Sequence, residues 1–317
     1  MSTLELVDPE LRSALDQRPK LRLTAEALSK SRAFIVAAAG AVSKPDITDL
    51  SVSEIRVDSA FGAPSIRVLA YRPRKAESPL PAFLHVHGGG FVMGVPEMKD
   101  IENQLLASEL NCAIFSVDYR LAPEAPYPAA LQDVYSVLAW LHANAQELGL
   151  DPARIGIKGE SGGGGVAAAA ALYARDQKGP SLAFQHLIYP MIDDRTALRR
   201  DLNPHVGEFV WTQEHNLFGW QALLGSAPGA DDVSPYAAAA RATDLAGLPP
   251  TFIAVGSLDL FLEENMIYAD RLSRAGVPVE FHLYPGAYHG FQLAAQARVS
   301  VQAERDSRDA LRRFLHG

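Results

Sequence analysis

Six short apolar runs, "AFLHVH", "AIFSVDY", "RIGIKG", "FQHLIYP", "TFIAVGS" and "VEFHLYP", are spread between residues 82 and 285 and limit the fold more than any other feature. Runs that are apolar throughout, rather than alternating with polar residues, belong to strands buried on both faces. Most gaps between them hold helical segments, roughly 99–110, 128–148, 163–176, 263–275 and 297–315. In "ALQDVYSVLAWLHANAQEL", Leu131, Val134, Val137, Leu138 and Leu141 recur at helical spacing, which predicts a helix packed on a sheet. Upstream, "SEIRVDS" and "SIRVLAYRP" flank the turn "FGAP" and predict an antiparallel hairpin. The pattern is α/β, with a mostly parallel sheet covered by helices.

The rhythm fails in two places. Residues 1–45 predict helices up to about Ala41, with Pro45 as a breaker, and residues 193–248 contain aromatics and prolines but no convincing strand. A connection this long inside an alternating pattern is usually functional. We expect the two segments to form a helical cap over a core made of residues 46–192 and 249–317. The balance of 29 Lys and Arg against 37 Asp and Glu, net charge −8, offers no basic stripe for nucleic acid. "AFIVAAAGAV" is too short to span a bilayer, and the expected location is cytoplasmic, with no membrane insertion. The single cysteine, Cys112, beside "AIFSV", excludes an intrachain disulfide and is read as a buried apolar side chain.

Two glycine clusters break the strand–helix grammar where chemistry needs it. In "IGIKGESGGGG", residues 155–165, Ser161 lies between Gly159 and Gly163 at the junction of a strand and an alanine-rich helix. Glycine inside a helix costs roughly 0.5–1 kcal/mol relative to alanine, so the cluster requires a geometric reason. G-x-S-x-G between a strand and a helix is the pattern of a nucleophile elbow, a sharp turn that exposes a serine hydroxyl. The rival reading, a phosphate-binding glycine turn, lacks both G-x-G-x-x-G and G-x-x-x-x-G-K-[ST]. In "HVHGGGFVMG", residues 85–94, three glycines follow a strand and let backbone N–H groups converge. Together with the elbow they predict an oxyanion hole from the N–H groups of Gly88, Gly89 and Gly162. His85 and His87 alternate onto one strand face, but no neighbouring ligand run completes a metal set, and His87 is expected to fix the loop by hydrogen bonding.

Elbow and glycine loop together resemble the α/β-hydrolase superfamily, and "HGGG" with "DYRLAPEAPYPAALQD" narrows the resemblance to its hormone-sensitive-lipase-like esterases, the bacterial family IV, over most of the chain. The resemblance implies the α/β-hydrolase fold, with a mostly parallel central eight-stranded sheet and a helical cap. It implies a serine carboxylesterase for short- to medium-chain esters, working through an acyl-enzyme without a cofactor or metal. It further implies that Tyr119–Glu124, with Tyr119, His87 and Gly90, supports the oxyanion loop from beneath. Read alone, that segment is a turn with an Arg120–Glu124 ion pair. The family commonly has Asp before the serine and Ala after it; Glu160 and Gly162 stand there instead.

In the superfamily the acid and the base follow the serine in that order. Asp259 lies in the loop at the carboxyl end of the strand "TFIAVG" and is the expected acid, with Glu263 and Glu264, read otherwise as helix N-terminal charges, as fallback. His289, in "YPGAYHGFQ" after the last strand, is the expected base, while His282 lies inside a strand. The cap cluster of Phe209, Val210, Trp211, Leu217, Phe218 and Trp220 either packs the cap or lines the pocket; Phe209, Trp211 and Phe218 are the pocket candidates. "VPVEFHLYP" is a candidate edge strand for a homodimer. An amidase or dehydratase on the same scaffold, and a non-catalytic receptor, are the competing functions. The presence of His289 speaks against the receptor.

Overall fold

The computed structural model describes residues 2–16, 23–41, 47–75 and 79–317. Pro45 and the boundary at 45/46 lie outside these residues. Helices α1 (Pro9–Asp16) and α2 (Ala25–Ala41) precede the hairpin β1 (Leu50–Val57) and β2 (Ile66–Pro73). Then follow β3 (Leu80–Val86), α3 (Asp100–Glu109), β4 (Ala113–Asp118), α4 (Ala129–Ala143), β5 (Leu150–Glu160), α5 (Gly162–Asp176) and β6 (Gln185–Ile188). The chain continues through α6 (Gln213–Leu224), β7 (Thr251–Gly256), α7 (Leu262–Arg274), β8 (Val279–Tyr284) and α8 (Arg298–His316).

Among the described residues these strands form one eight-stranded sheet in the order β1-β2-β4-β3-β5-β6-β7-β8. β2 pairs antiparallel with β1 and β4, and every other pairing is parallel. β3 is flanked by β4 and β5, so the chain crosses over it between them. Reversal of strand order at one point opens a crevice at the carboxyl ends of the strands. The glycine loop after β3 and the elbow after β5 are therefore neighbours.

Every residue of β3 is buried, and its two faces meet different partners. Ala82, Leu84 and Val86 join Val134, Val137 and Leu138 of α4 and the alanines of α5 in one core. Phe83 faces Leu106 and Ala107 of α3 and Leu311 and Leu315 of α8 in another. Burying each such Leu or Val contributes roughly 1.5–3 kcal/mol, which explains the unbroken apolar run. The small side chains of Ala167–Ala171 let α5 approach the sheet closely. Cys112 is fully buried in the α3 core, and burial pushes its thiol pKa up. Residues 193–248 contribute α6 and short 3-10 turns, and no strand, to the described structure.

The expected Arg120–Glu124 ion pair does not form. Arg120 instead forks onto Asp133 (Nη2–Oδ1 2.8 Å, Nε–Oδ2 2.9 Å) and donates its backbone N–H to the same carboxylate at 2.9 Å. Glu124 accepts two bonds of 2.8 Å from Arg32 of α2. The side chain of Asp133 is 1% exposed and that of Glu124 64%. A buried carboxylate must find donors, whereas an exposed one has water, so the arginine goes to Asp133. Asp133→Ala is expected to cost about 1–3 kcal/mol through the donors it strands. Glu124→Ala should stay within about 0.5 kcal/mol. Urea midpoints of the two variants check the order.

Candidate active site

Ser161 caps α5 with φ 56° and ψ −124°, a conformation L-residues avoid, and the turn turns its hydroxyl out of the sheet. The glycines around it are demanded by space. A Cβ on Gly163 would fall 2.2 Å from the carbonyl oxygens of Val86 and His87, and one on Gly162 would fall 2.8 Å from the Phe91 nitrogen. Elbow and glycine loop thus touch backbone to backbone. Gly89, at φ 133°, turns that loop, and a side chain there would strike the Met93 carbonyl at 1.9 Å. None of the N–H groups of Gly88, Gly89 and Gly162 donates a backbone hydrogen bond to another described residue.

Ser161 Oγ lies 2.9 Å from His289 Nε2, and His289 Nδ1 lies 2.8 Å from Asp259 Oδ2. All three side chains are buried. The other Asp259 oxygen accepts from Phe261 N–H at 3.0 Å, which fixes the carboxylate's rotation. Asp259 follows β7 and His289 follows β8, and Leu258 N–H to Ala287 C=O, 2.9 Å, joins the two loops. Residues 2–16 hold this region from outside. Asp8 N–H donates to Gly286 C=O at 3.0 Å, and the Tyr288 hydroxyl donates to Leu11 C=O at 3.2 Å. The imidazole is walled by Tyr189 (ring centroids 4.5 Å), Phe261 (5.3 Å) and Trp211 (6.2 Å). Like Ser161, Phe91, Tyr189 and Val210 carry positive φ, so strained backbone collects around the site.

His87 Nδ1 donates to Gly88 C=O at 2.9 Å, its ring stacks on Tyr119 at 4.4 Å, and the Tyr119 hydroxyl donates to His87 C=O at 2.8 Å. Burial pushes the His87 pKa down to about 4, against the pull of the Gly88 carbonyl, so at neutral pH its ring is uncharged. The ring of Trp211 closes over Gly90, where a Cβ would fall 2.1 Å from it.

The three pocket candidates separate. Trp211 faces His289, and Phe209 packs on Tyr288 at 6.1 Å. Phe218 points elsewhere, into a cavity of about 470 Å³ that it lines with Leu28 and Arg32 of α2, Pro123 and Gln221, and that none of the three chemical residues lines. Trp220, edge-on to Phe91 at 5.0 Å, is fully buried core. Glu263 and Glu264 take neither the acid's place nor a mere surface charge. Glu263 accepts from Asn203 N–H at 2.8 Å and pairs with Arg199 at 2.6 Å. Glu264, buried, accepts from Ile192 N–H at 2.8 Å and from the Thr196 hydroxyl. Both fasten the start of α7 to residues 192–203. His282 bonds Glu280 within β8 at 2.8 Å. His85 turns to Ser116 and Glu160 rather than to His87. Among the described residues no cluster of three or more His, Cys, Asp or Glu could hold a metal ion. The missed signal was Lys158, a charge inside an apolar strand.

A family model described as alpha/beta hydrolase fold matches residues 83–293. The carboxylesterase NlhH of Mycobacterium tuberculosis is 33% identical over 315 residues, covering 98% of this chain and 97% of its own. The esterase LipI of the same organism is 34% identical over 278 residues, covering 86% and 85%. Among solved structures, a bacterial heroin esterase superposes with a TM-score of 0.93 at 38% identity over 100% of both chains. The esterase LipW from Mycobacterium marinum gives 0.82 at 33% identity, over 99% and 98%.

Proposed function

The chain belongs to the α/β-hydrolase family, in its hormone-sensitive-lipase-like branch, and from that premise we propose that Ser161, His289 and Asp259 are the triad of a carboxylesterase. The observation that carries the assignment is the unbroken hydrogen-bonded line from Ser161 Oγ through the imidazole to Asp259. His289 Nε2 takes the hydroxyl proton as Oγ attacks the ester carbonyl, and Asp259 holds the ring and stabilises the imidazolium. The N–H groups of Gly88, Gly89 and Gly162 receive the oxyanion, each contributing about 2.7–4 kcal/mol to the transition state. The alcohol leaves with the proton from His289, and water hydrolyses the acyl-enzyme by the reverse sequence. These steps call on no cofactor.

The substrates are small esters. Residues 1–45 and 193–248 act as the cap, and Trp211 and Phe209 bound an acyl site that favours short to medium chains. The enzyme works in the cytoplasm, and no described helix is long and apolar enough to cross a membrane. Its edge strand β8, half-buried with only Leu283 exposed, pairs with a second copy. Hydrolysis of p-nitrophenyl esters from acetate to palmitate, beside labelling by a fluorophosphonate, tests the reading. Turnover should peak at short acyl chains, and the label should sit on Ser161. A folded enzyme that turns over no ester in the series yet takes the label would point to amides instead. An unlabelled one would end the reading.

A further inference from the structure

Directly before the nucleophile, Glu160 is buried on the side of the sheet covered by α3 and α8, and its carboxylate is the centre of a chain of contacts between separate elements. One oxygen accepts from His85 Nε2 of β3 at 3.0 Å, and the other pairs with the Lys158 ammonium of β5. Lys158, 2% exposed, reaches on to Glu102 of α3 at 3.1 Å, and Glu102 also pairs with Lys99. His85 Nδ1 is then left to accept from the Ser116 hydroxyl of β4 at 2.7 Å and from Asn103 Nδ2 of α3 at 3.3 Å. Strands β3, β4 and β5 and helix α3 are thereby joined just below the carboxyl ends that carry the chemistry.

Hydrophobic contact alone would hold these strands together at lower cost. Burying a charge costs several kcal/mol even when paired, and apolar residues of similar volume are often as stable or more so. What an ion pair adds is register, because its geometry admits one arrangement. The register concerned is the one the reaction uses. His85 lies two residues before His87 and three before Gly88, and Glu160 adjoins Ser161 and Gly162. The Glu160 carbonyl already abuts the glycine loop, since a Cβ on Gly88 would fall 3.1 Å from it. Both partners of the pair are charged at neutral pH. Burial opposes the charge on Glu160, but Lys158, His85 and Lys99 outweigh it and hold its carboxyl well below the usual range. Burial likewise opposes the charge on Lys158, but Glu102 and Glu160 outweigh it and raise its pKa.

We infer that Glu160 is a positioning residue for the esterase reaction: through His85 and Lys158 it fixes the nucleophile elbow against the oxyanion loop, so that Ser161 Oγ and the Gly88, Gly89 and Gly162 N–H groups address one carbonyl. The inference rests on the triad reading above. Its test is the Glu160→Gln variant, which keeps volume and removes the charge. Four quantities are read on enzyme whose active serine is titrated by a fluorophosphonate: kcat and KM for p-nitrophenyl butyrate, the inhibition constant of a trifluoromethyl ketone, and the labelling rate itself. A misplacement of about 1 Å in a reacting constellation costs on the order of a hundredfold, so kcat should fall by about that factor. KM should stay within about twofold, because ground-state binding does not use the oxyanion donors. The ketone, which forms a tetrahedral adduct at Ser161, should weaken in step with kcat.

A purely structural role would reduce the titratable fraction and the melting temperature while leaving kcat per titrated site and ketone affinity unchanged, and that result overturns the inference. Should Glu160→Gln fail to fold, the double variant E160Q/K158M removes both charges of the pair, and the same readouts decide. Failure of the underlying reading looks different: the wild type itself would then hydrolyse no ester and take no label.

Discussion

Ser161→Ala is expected to lower kcat for p-nitrophenyl butyrate by roughly six orders of magnitude, because removing the nucleophile of the proposed triad leaves only binding and the proposed oxyanion donors to act. His289→Ala should fall by about as much, and Asp259→Asn by roughly four orders, since the amide favours the wrong tautomer of the imidazole. The losses should not add. A Ser161→Ala/His289→Ala double variant is expected to be no slower than either single one, as the two groups act in one proton transfer. Alanine retains the Cβ, so the strain at φ 56° persists and the melting temperature should hardly move. Steady-state kinetics on the four variants, with circular dichroism to verify folding, check the series. A Ser161→Ala enzyme retaining more than a small fraction of activity would sink the assignment.

Gly163→Ala should also slow the enzyme strongly, with no functional group removed. The new methyl would lie 2.2 Å from two backbone oxygens, those of Val86 and His87, and neither is the free end of a side chain. Either the elbow or the end of β3 must move. Overpacking of this kind costs about 1–3 kcal/mol. The accompanying displacement should cost on the order of a hundredfold in kcat. Gly40→Ala is the control, because nothing stands within 4 Å of its added methyl and it lies within α2. There alanine should raise stability by up to about 0.5–1 kcal/mol without touching the rate. Equal kinetics for Gly163→Ala and the wild type would show that the two loops are not in register-critical contact.

The strands were legible because burial on both faces leaves a plain imprint. All six apolar runs became β3 to β8, and "SEIRVDS" with "SIRVLAYRP" became the hairpin β1–β2. What the sequence could not convey was who meets whom. The order of strands depends on contacts between distant segments, such as Val86 beside Gly159. Arg120 had Glu124 four residues away and chose Asp133 thirteen away, since burial of the carboxylate, invisible in one dimension, decided the matter. Ser161 and Asp259, selected with His289 by order along the chain and by strand ends, each lie within hydrogen-bonding distance of that histidine. Phe218 shows the limit of composition: an aromatic on α6 reads the same whichever way the helix is turned, and here it is turned toward α2. Glu160 stands where the family commonly has Asp, and only Lys158, a charge inside an apolar strand, hinted at its partners; that His85 of β3 joins them is a contact between distant segments.

The hold of residues 2–16 on the histidine loop has a consequence in time. Leu11 and Tyr288, which share a hydrogen bond, are 277 residues apart in the chain. At ribosomal speeds of about 5–20 residues per second, the second of them emerges roughly 14–55 seconds after the first. Val7 and Leu11 end buried in a cluster whose other buried members run from Ile188 to Ala310, so their surface too is completed only late. The elbow and the glycine loop are synthesised early, but the histidine proposed to arm the serine and the segment that braces its loop can meet only when translation is almost over. The nascent enzyme therefore carries an unarmed serine through most of its birth.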